Sequence, residues 1–295
     1  MNLSQYKPGV ALNVLIKGDP GTGKTPIACS FPYPLLHFDC DYRARSLNLF
    51  FKNDPESIKN IDIVQPRTYA DVRDNLERLA NASRISEKTI VVDPLTTLAD
   101  LTMRGILAIK GSSGGRSIGN VKIAGIQDYG DEAAILGDIV FFLRQIYQKH
   151  NVNTILVAHV VTSEEKDLKE QKTVFSRALL TGGKKIGSKL PSYFDEVWHT
   201  FVRPDLRGRP EFVLQTRHTG FDFARTALDM PDEVVFSNYE HDPKKFFYAS
   251  IAKYLPGQEE YNSRLATEDN VIRQTEIVVD DKLGAVSERP ARIIS

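Results

Sequence analysis

Residues 11–25 read ALNVLIKGDPGTGKT: a short apolar run that breaks at Gly18 into a glycine-rich turn, with the apolar segment PIACSF behind it. The eight residues from Gly18 to Thr25 match the spacing G-x-x-x-x-G-K-[S/T]. They stand after a predicted strand and before a predicted helix, the context in which that spacing has a physical purpose. Glycines let backbone N–H groups wrap a phosphate with no Cβ in the way, and the start of the following helix adds partial positive charge. Gly18, Asp19, Pro20, Gly21, Thr22, Gly23, Lys24 and Thr25 are therefore expected to hold ATP. Lys24 would bridge the β- and γ-phosphates, and the Thr25 hydroxyl would hold Mg²⁺.

Outward from that loop, strands and helices alternate. The next predicted strand is PLLHFDCDY, ending near Tyr42, and IDIV at 61–64 is a weaker one. A helix from about Tyr69 to Ala80 carries Val72, Leu76 and Leu79 at helical spacing. TIVVD at 89–93 is β-branched, apolar and closed by an acid, the pattern of a buried strand whose polar tip emerges at the sheet edge. A helix over 97–110, an irregular Gly/Ser-rich loop over 111–125, an amphipathic helix over 131–150 and the strand TILVAH at 154–159 follow. Such alternation implies a mostly parallel sheet with helices on both faces. From about residue 173 the segments VFSRALL, DEVWHTFVR and EFVLQTR predict added antiparallel strands at the C-terminal side. The domain is expected to span 1–257. Over 258–295 eight acids face five bases, which predicts a polar, mildly acidic and partly disordered tail.

Composition narrows the function classes. The chain has 295 residues, with 38 Lys+Arg against 38 Asp+Glu, so a generally basic nucleic-acid coat is excluded and any such contact must come from locally clustered charge. Its two cysteines, Cys29 and Cys40, are too few for a disulfide framework or a zinc site and read as reduced thiols. No apolar stretch approaches the roughly 20 residues that span a bilayer, and the N-terminus does not read as a signal peptide, so a cytoplasmic protein without membrane contact is expected.

Three further groups carry candidate chemistry. Asp93, at the end of TIVVD, would orient the Mg²⁺ shell together with Thr25. Strand alternation would set Asp39 and Asp41 on one face, where one of them orients the water that attacks the γ-phosphate. The same D-x-D also fits a phosphoryl-acceptor site, the reading under which the chain is a nucleotide kinase. His159, at the tip of TILVAH, would sense the γ-phosphate if its strand lies beside the loop strand.

These motifs in order, GDPGTGKT, HFDCDYRARSL, TIVVDPLTTL, QDYGDEAAILGDIV before a strand ending in AH, and LQTRHTGFDFARTAL, resemble the RecA-like recombination ATPases. They resemble above all the phage-encoded ones associated with single-strand annealing. The resemblance covers about 8–230. It implies a RecA-like P-loop NTPase core with the His159 strand between the loop strand and the Asp93 strand, an order that separates it from nucleotide kinases. It further implies that Asp41 is the catalytic base, and that His159 occupies the place of a γ-phosphate-sensing residue. The basic residue that reaches into a neighbouring subunit's ATP site would be Arg225, with Arg217 the second choice. Hydrolysis would then require a filament or ring of copies.

Local charge agrees with a DNA-facing surface. No acid lies between Asp100 and Asp128, where Lys110, Arg116 and Lys122 stand, nor between Glu170 and Asp195, where Lys172, Arg177, Lys184, Lys185 and Lys189 stand. In the resembled family the loops over these two stretches line the DNA path, and Lys and Arg on glycine-rich backbone suit sequence-independent phosphate contacts. The expected function is an ATP- and Mg²⁺-dependent ATPase, stimulated by single-stranded DNA, that assembles on it and assists annealing or strand exchange. A single-strand-binding or annealing protein is a further expected partner. The alternatives are the nucleotide kinase and an ATP-gated loader or adaptor of a replication or recombination complex.

Overall fold

Asn13–Gly18 (β1) is covered on both faces: Val14, Leu15 and Ile16 form its apolar centre, and all six of its residues, Asn13 and Lys17 included, are buried. In the computed structural model, which describes residues 11–167, 172–181, 184–236 and 247–255, β1 lies near the middle of a nine-stranded sheet. The other strands are Leu35–Asp39 (β2), Ile61–Val64 (β3), Thr89–Asp93 (β4), Ser117–Ile118 (β5), Val121–Lys122 (β6), Asn153–Asp167 (β7), Lys172–Leu179 (β8), Glu196–Pro204 (β9), Pro210–Gln215 (β10) and Glu233–Phe236 (β11). The sheet runs β11-β10-β9-β1-β7-β4-β2-β3, with β8 paired to β7 off that path and β5-β6 a separate two-stranded ribbon. From β9 to β3 every pairing is parallel. This is the mostly parallel, RecA-like arrangement, with β7 inserted between β1 and β4 and antiparallel strands added at the C-terminal side.

Register delivers the functional residues to one edge of this sheet. Gly18 stands opposite His159 on one side and Thr200 on the other, and Asp39 stands opposite Asp93. One face is covered by the helices Tyr69–Asn81 (α4), Leu95–Lys110 (α5) and Ile126–His150 (α6), which bury Val72, Leu76, Leu98, Leu136, Leu143 and Ile146 against Phe38, Ile90 and Val92. Thr68 caps α4, accepting from Asp71 N while the Asp71 carboxylate accepts from Thr68 N. Strand alternation turns His37 and Asp39 to the opposite face. There Lys24–Cys29 (α1) follows the glycine loop, and Arg45–Phe50 (α2) and Pro55–Lys59 (α3) follow β2. A C-terminal helix, Tyr248–Ala252, is pinned near α1 by the Tyr248 N–H on Ser30 Oγ and by the Tyr248 ring on Phe31. The thiols of Cys29 and Cys40 are free and buried, and burial pushes both well above the ordinary thiol range.

Several sequence expectations are corrected here. β2 stops at Asp39 rather than near Tyr42, so alternation does not relate Asp39 to Asp41: the chain turns between them, and Tyr42 adopts a left-handed φ of 59°. DEVWHTFVR is β9, which pairs parallel with β1, so the antiparallel addition on that side begins only at β10. His159 is not a strand tip, because β7 continues to Asp167 in an antiparallel ribbon with β8. The segment 111–125 holds the ribbon β5-β6, and α6 begins at Ile126, five residues earlier than expected. The cause is Asp128, whose buried carboxylate accepts from Gly125 N and Ser113 N and is held below its ordinary range by those bonds. The tail, 258–295, lies outside the described residues.

Candidate active site

The glycine loop is shaped by contacts only glycine permits. A Cβ on Gly18 would fall on the carbonyl and hydroxyl of Thr200 in β9, so the loop strand and β9 close to backbone contact there. Gly23 sits at φ 85°, a conformation other residues adopt only at a cost, and a Cβ on it would press on the Phe212 ring of β10. Thr22, buried, donates to Asp19 O at 2.8 Å or shares its hydrogen with Thr200 Oγ1 at 2.7 Å, which fixes the loop from inside.

Lys24 and Thr25 leave the loop in different directions. The Lys24 ammonium donates to Gly18 O at 3.0 Å and Asp19 O at 2.7 Å, so it rests on the loop's own carbonyls. Burial lowers its pKa to about 8, against the opposing pull of Asp93 and Asp19. The Thr25 hydroxyl donates to Asp93 Oδ2 at 2.5 Å, across from α1 to the end of β4. A hydroxyl oxygen and a carboxylate, both hard donors at a pocket wall, are a donor set that fits Mg²⁺, an ion that takes one or two protein oxygens and fills the rest of its shell with phosphate and water.

The pocket in front of these groups measures about 370 Å³. Pro20, Gly21, Gly23, Lys24 and Thr25 line one side, and His37, Asp39, Asp41, Arg43 and Phe50 the other, with Asp93, His159 and Phe212 completing the wall. The two acids of the D-x-D differ. Asp39 is 3% exposed and accepts from Arg43 N at 3.0 Å, Ala44 N at 2.8 Å and Gln65 Nε2 at 3.2 Å, so it braces the turn between β2 and α2. Asp41 accepts from the Thr97 hydroxyl of α5, lies 4.0 Å from the exposed Arg43 guanidinium and lines the pocket with its side chain about a fifth exposed. His159 is half-buried beside Gly18. Burial first, and the nearby Lys24 charge second, push its imidazole below the ordinary histidine range, which favours the neutral ring at pH 7.

The remaining candidates lie elsewhere. The Arg225 backbone bridges to Val197, and its guanidinium donates to the carbonyls of Phe194 and Pro191 in its own chain. Arg217 pairs with Asp232 at 2.9 Å, both exposed. The acid-free reading of 101–127 does not survive folding for Lys110, whose ammonium reaches Asp131 and lies 3.7 Å from Asp128, both beyond that stretch. Lys122 donates to Leu107 O, and Arg116 is exposed just before the β5-β6 ribbon. Lys172 and Arg177 belong to β8 and Lys184 and Lys185 to the short helix Lys184–Lys189, while their side chains lie outside the described residues. Lys189 is exposed and lies over the Tyr193 ring at 5.6 Å. Sequence reasoning passed over His37, Arg43, Thr97 and Phe212. The first two were readable from HFDCDYRARSL, while Thr97 and Phe212 reach the site only through tertiary packing.

This fold and this loop define a P-loop nucleotide-binding protein of the RecA-like kind. The chain belongs to the AAA_24 family, described as an AAA domain, whose pattern matches residues 11–227. Among solved structures it is similar to the RadB recombinase, at 13% identity and a TM-score of 0.41 over 76% of this chain and 84% of that one. It is also similar to the flagellar accessory protein FlaH from Methanocaldococcus jannaschii, at 12% identity and 0.40 over 78% and 85%. No curated protein matches the chain. Among the described residues, no helix is long and apolar enough to cross a membrane.

Proposed function

We propose that the chain is an ATP- and Mg²⁺-dependent ATPase that works on single-stranded DNA as an assembly of copies. The observation that carries the reading is that one pocket is lined by Lys24, Thr25 and Asp93 and also by the carboxylate of Asp41. Lys24 would exchange its neutral carbonyl partners for the charged β- and γ-phosphates, so that donor and acceptor both carry charge. Thr25 and Asp93 would hold Mg²⁺, which neutralises phosphate charge when bound. Asp41 would orient the attacking water, and the neutral His159 would register the γ-phosphate. The kinase alternative loses support from Asp39, which is buried and already accepts from Arg43 N and Ala44 N of the turn and from Gln65 Nε2.

The DNA part rests on continuity and charge. His159 lies in the same strand that runs on into the β7-β8 ribbon, and the ribbon and the helix behind it carry Lys172, Arg177, Lys184, Lys185 and Lys189. A displacement of His159 would therefore be felt along a hydrogen-bonded strand. The in-trans role of Arg225 or Arg217 requires the guanidinium to leave a carbonyl or an exposed carboxylate, partners worth little at a wet surface.

Steady-state hydrolysis of ATP with Mg²⁺, without and with single-stranded DNA, across a salt series, tests both halves. Stimulation by DNA that fades as salt rises is expected, with Lys24→Ala losing all nucleotide dependence. Unchanged turnover in Lys24→Ala overturns the site. Turnover that DNA leaves unmoved at low salt overturns the DNA half and directs attention to a protein partner.

A further inference from the structure

His37 is 1% exposed, and neither of its ring nitrogens has a hydrogen-bond partner among the described residues. It faces the pocket from the middle of β2, with Nε2 3.6 Å from Asp93 Oδ2, just beyond hydrogen-bond reach. A buried imidazole with both nitrogens unpaired carries a desolvation penalty that an aliphatic side chain of the same bulk would not. β2 offers no other polar residue between Leu35 and Phe38, and its neighbours in register, Ile63 and Val91, are apolar. Packing alone therefore gives no reason for a histidine here. Its aim at Asp93 does.

We infer that His37 is a positioning residue of the Mg²⁺ site: with its hydrogen on Nε2 it donates to the Asp93 carboxylate and holds it in the orientation that the bound metal and nucleotide require. The inference rests on the reading of Thr25 and Asp93 as the groups that hold the ion. Asp93 Oδ2 accepts from Thr25 on one side, and His37 supplies a donor from β2 on the other. A carboxylate pinned by two donors from two elements loses its freedom to swing, which is how partners behind a metal ligand sharpen affinity. A closure of a few tenths of an ångström brings Nε2 within bonding distance.

The test uses the full chain and a fluorescent ADP analogue, with Mg²⁺ titrated and binding, rather than turnover, as the readout; thermal melting of the nucleotide-free protein is recorded alongside. His37→Leu removes the donor and keeps the bulk, His37→Met does the same with an adaptable side chain, and His37→Gln keeps an N–H donor. In His37→Leu and His37→Met the half-saturating Mg²⁺ concentration is expected to rise about tenfold or more. Melting should stay unchanged or move upward, because an unpaired polar group has left the interior. His37→Gln should return the Mg²⁺ dependence close to wild type. Mg²⁺ dependence unmoved by His37→Leu and His37→Met, while Asp93→Asn shifts it, overturns the inference and leaves the site reading standing. Lower melting in all three variants with unmoved Mg²⁺ dependence makes His37 a packing residue and also overturns it. If neither Asp93→Asn nor Thr25→Ala shifts the Mg²⁺ dependence, the underlying reading of the site fails instead.

Discussion

On one side of the pocket, Lys24 and Thr25 hang from a loop whose shape is set by its own glycines and by Thr22. On the other, Asp39 and Asp41, two residues apart, are held by groups far away in sequence: Gln65 for the first and Thr97 for the second. The loop wall is legible locally, since the glycines and the Thr22–Asp19 bond that shape it stand within residues 18–25, with Thr200 of β9 and Phe212 of β10 packed against them. The turn wall is tertiary, since nothing in DCDY itself sends one carboxylate inward to brace backbone N–H groups and leaves the other facing the pocket. The loop wall should consequently fail chemically when its side chains change, while the turn wall divides its failures between chemistry and stability according to which acid is removed.

That division is open to a direct test. Asp41→Asn should cut turnover by about 10²-fold or more while leaving nucleotide affinity within a few-fold, because a positioned base contributes that much and touches no ground-state phosphate. Asp39→Ala should instead cost about 2–3 kcal/mol of stability, the worth of a buried carboxylate serving several donors, and lower the melting temperature by about 4–10 °C. Steady-state kinetics and thermal melting on both variants decide the matter. If Asp39→Ala melts as the wild type and Asp41→Asn turns over normally, the two acids have been assigned the wrong way round.

The same contrast explains what could be read from the sequence. GDPGTGKT and TIVVD announce their elements because a glycine pattern and a β-branched run are local signals, and both elements stand where they were expected. The strand order followed from the resemblance and is present. The end of β2 was misplaced because alternation assumes an extended chain, and Asp39 stops the strand by capturing Arg43 N and Ala44 N, a side-chain competition that no periodicity reveals. The early start of α6 was hidden for the same reason, since Asp128 draws in the N–H groups of Gly125 and of Ser113, fifteen residues away. At Lys110 the charge reading missed an ion pair, because counting along the chain cannot see Asp131 one helix later.

The loop wall also has a pH signature. Burial pushes the Lys24 ammonium down from the ordinary lysine range to about 8 in the nucleotide-free fold, favouring the neutral amine. The cost of holding the ammonium there is full below about 8 and is relieved as pH rises toward the unfolded value, so this group adds stability to the nucleotide-free protein across that interval. Phosphates need the ammonium, which reverses the sign for binding: affinity for ADP should fall by about tenfold per pH unit above pH 8, with proton uptake on binding. Lys24→Arg, charged throughout, should be flat over the same interval. A fluorescence titration from pH 7 to 10 checks this, and a flat wild-type profile removes Lys24 from the phosphates.

The smallest effect concerns Tyr42, where the turn wall stores its one left-handed non-glycine residue before α6's C-cap, Asn151, among the described residues. An aromatic side chain at φ 59° is unfavourable by about 1–2 kcal/mol relative to ordinary backbone, so its neighbours must enforce it. Two candidates stand out: the Tyr42 hydroxyl donating to Pro66 O at 2.9 Å, and the three donors on Asp39. The phenol is half exposed and bonds a neutral carbonyl, so Tyr42→Phe should lose only about 0.5 kcal/mol. The Asp39 bonds would keep the turn, and Asp41 with it, in place, so turnover should remain near wild type. Turnover in Tyr42→Phe that falls as far as in Asp41→Asn would mean that the phenol, and not Asp39, sets the conformation of the turn. The contrast between the two acids would then have to be redrawn around Pro66.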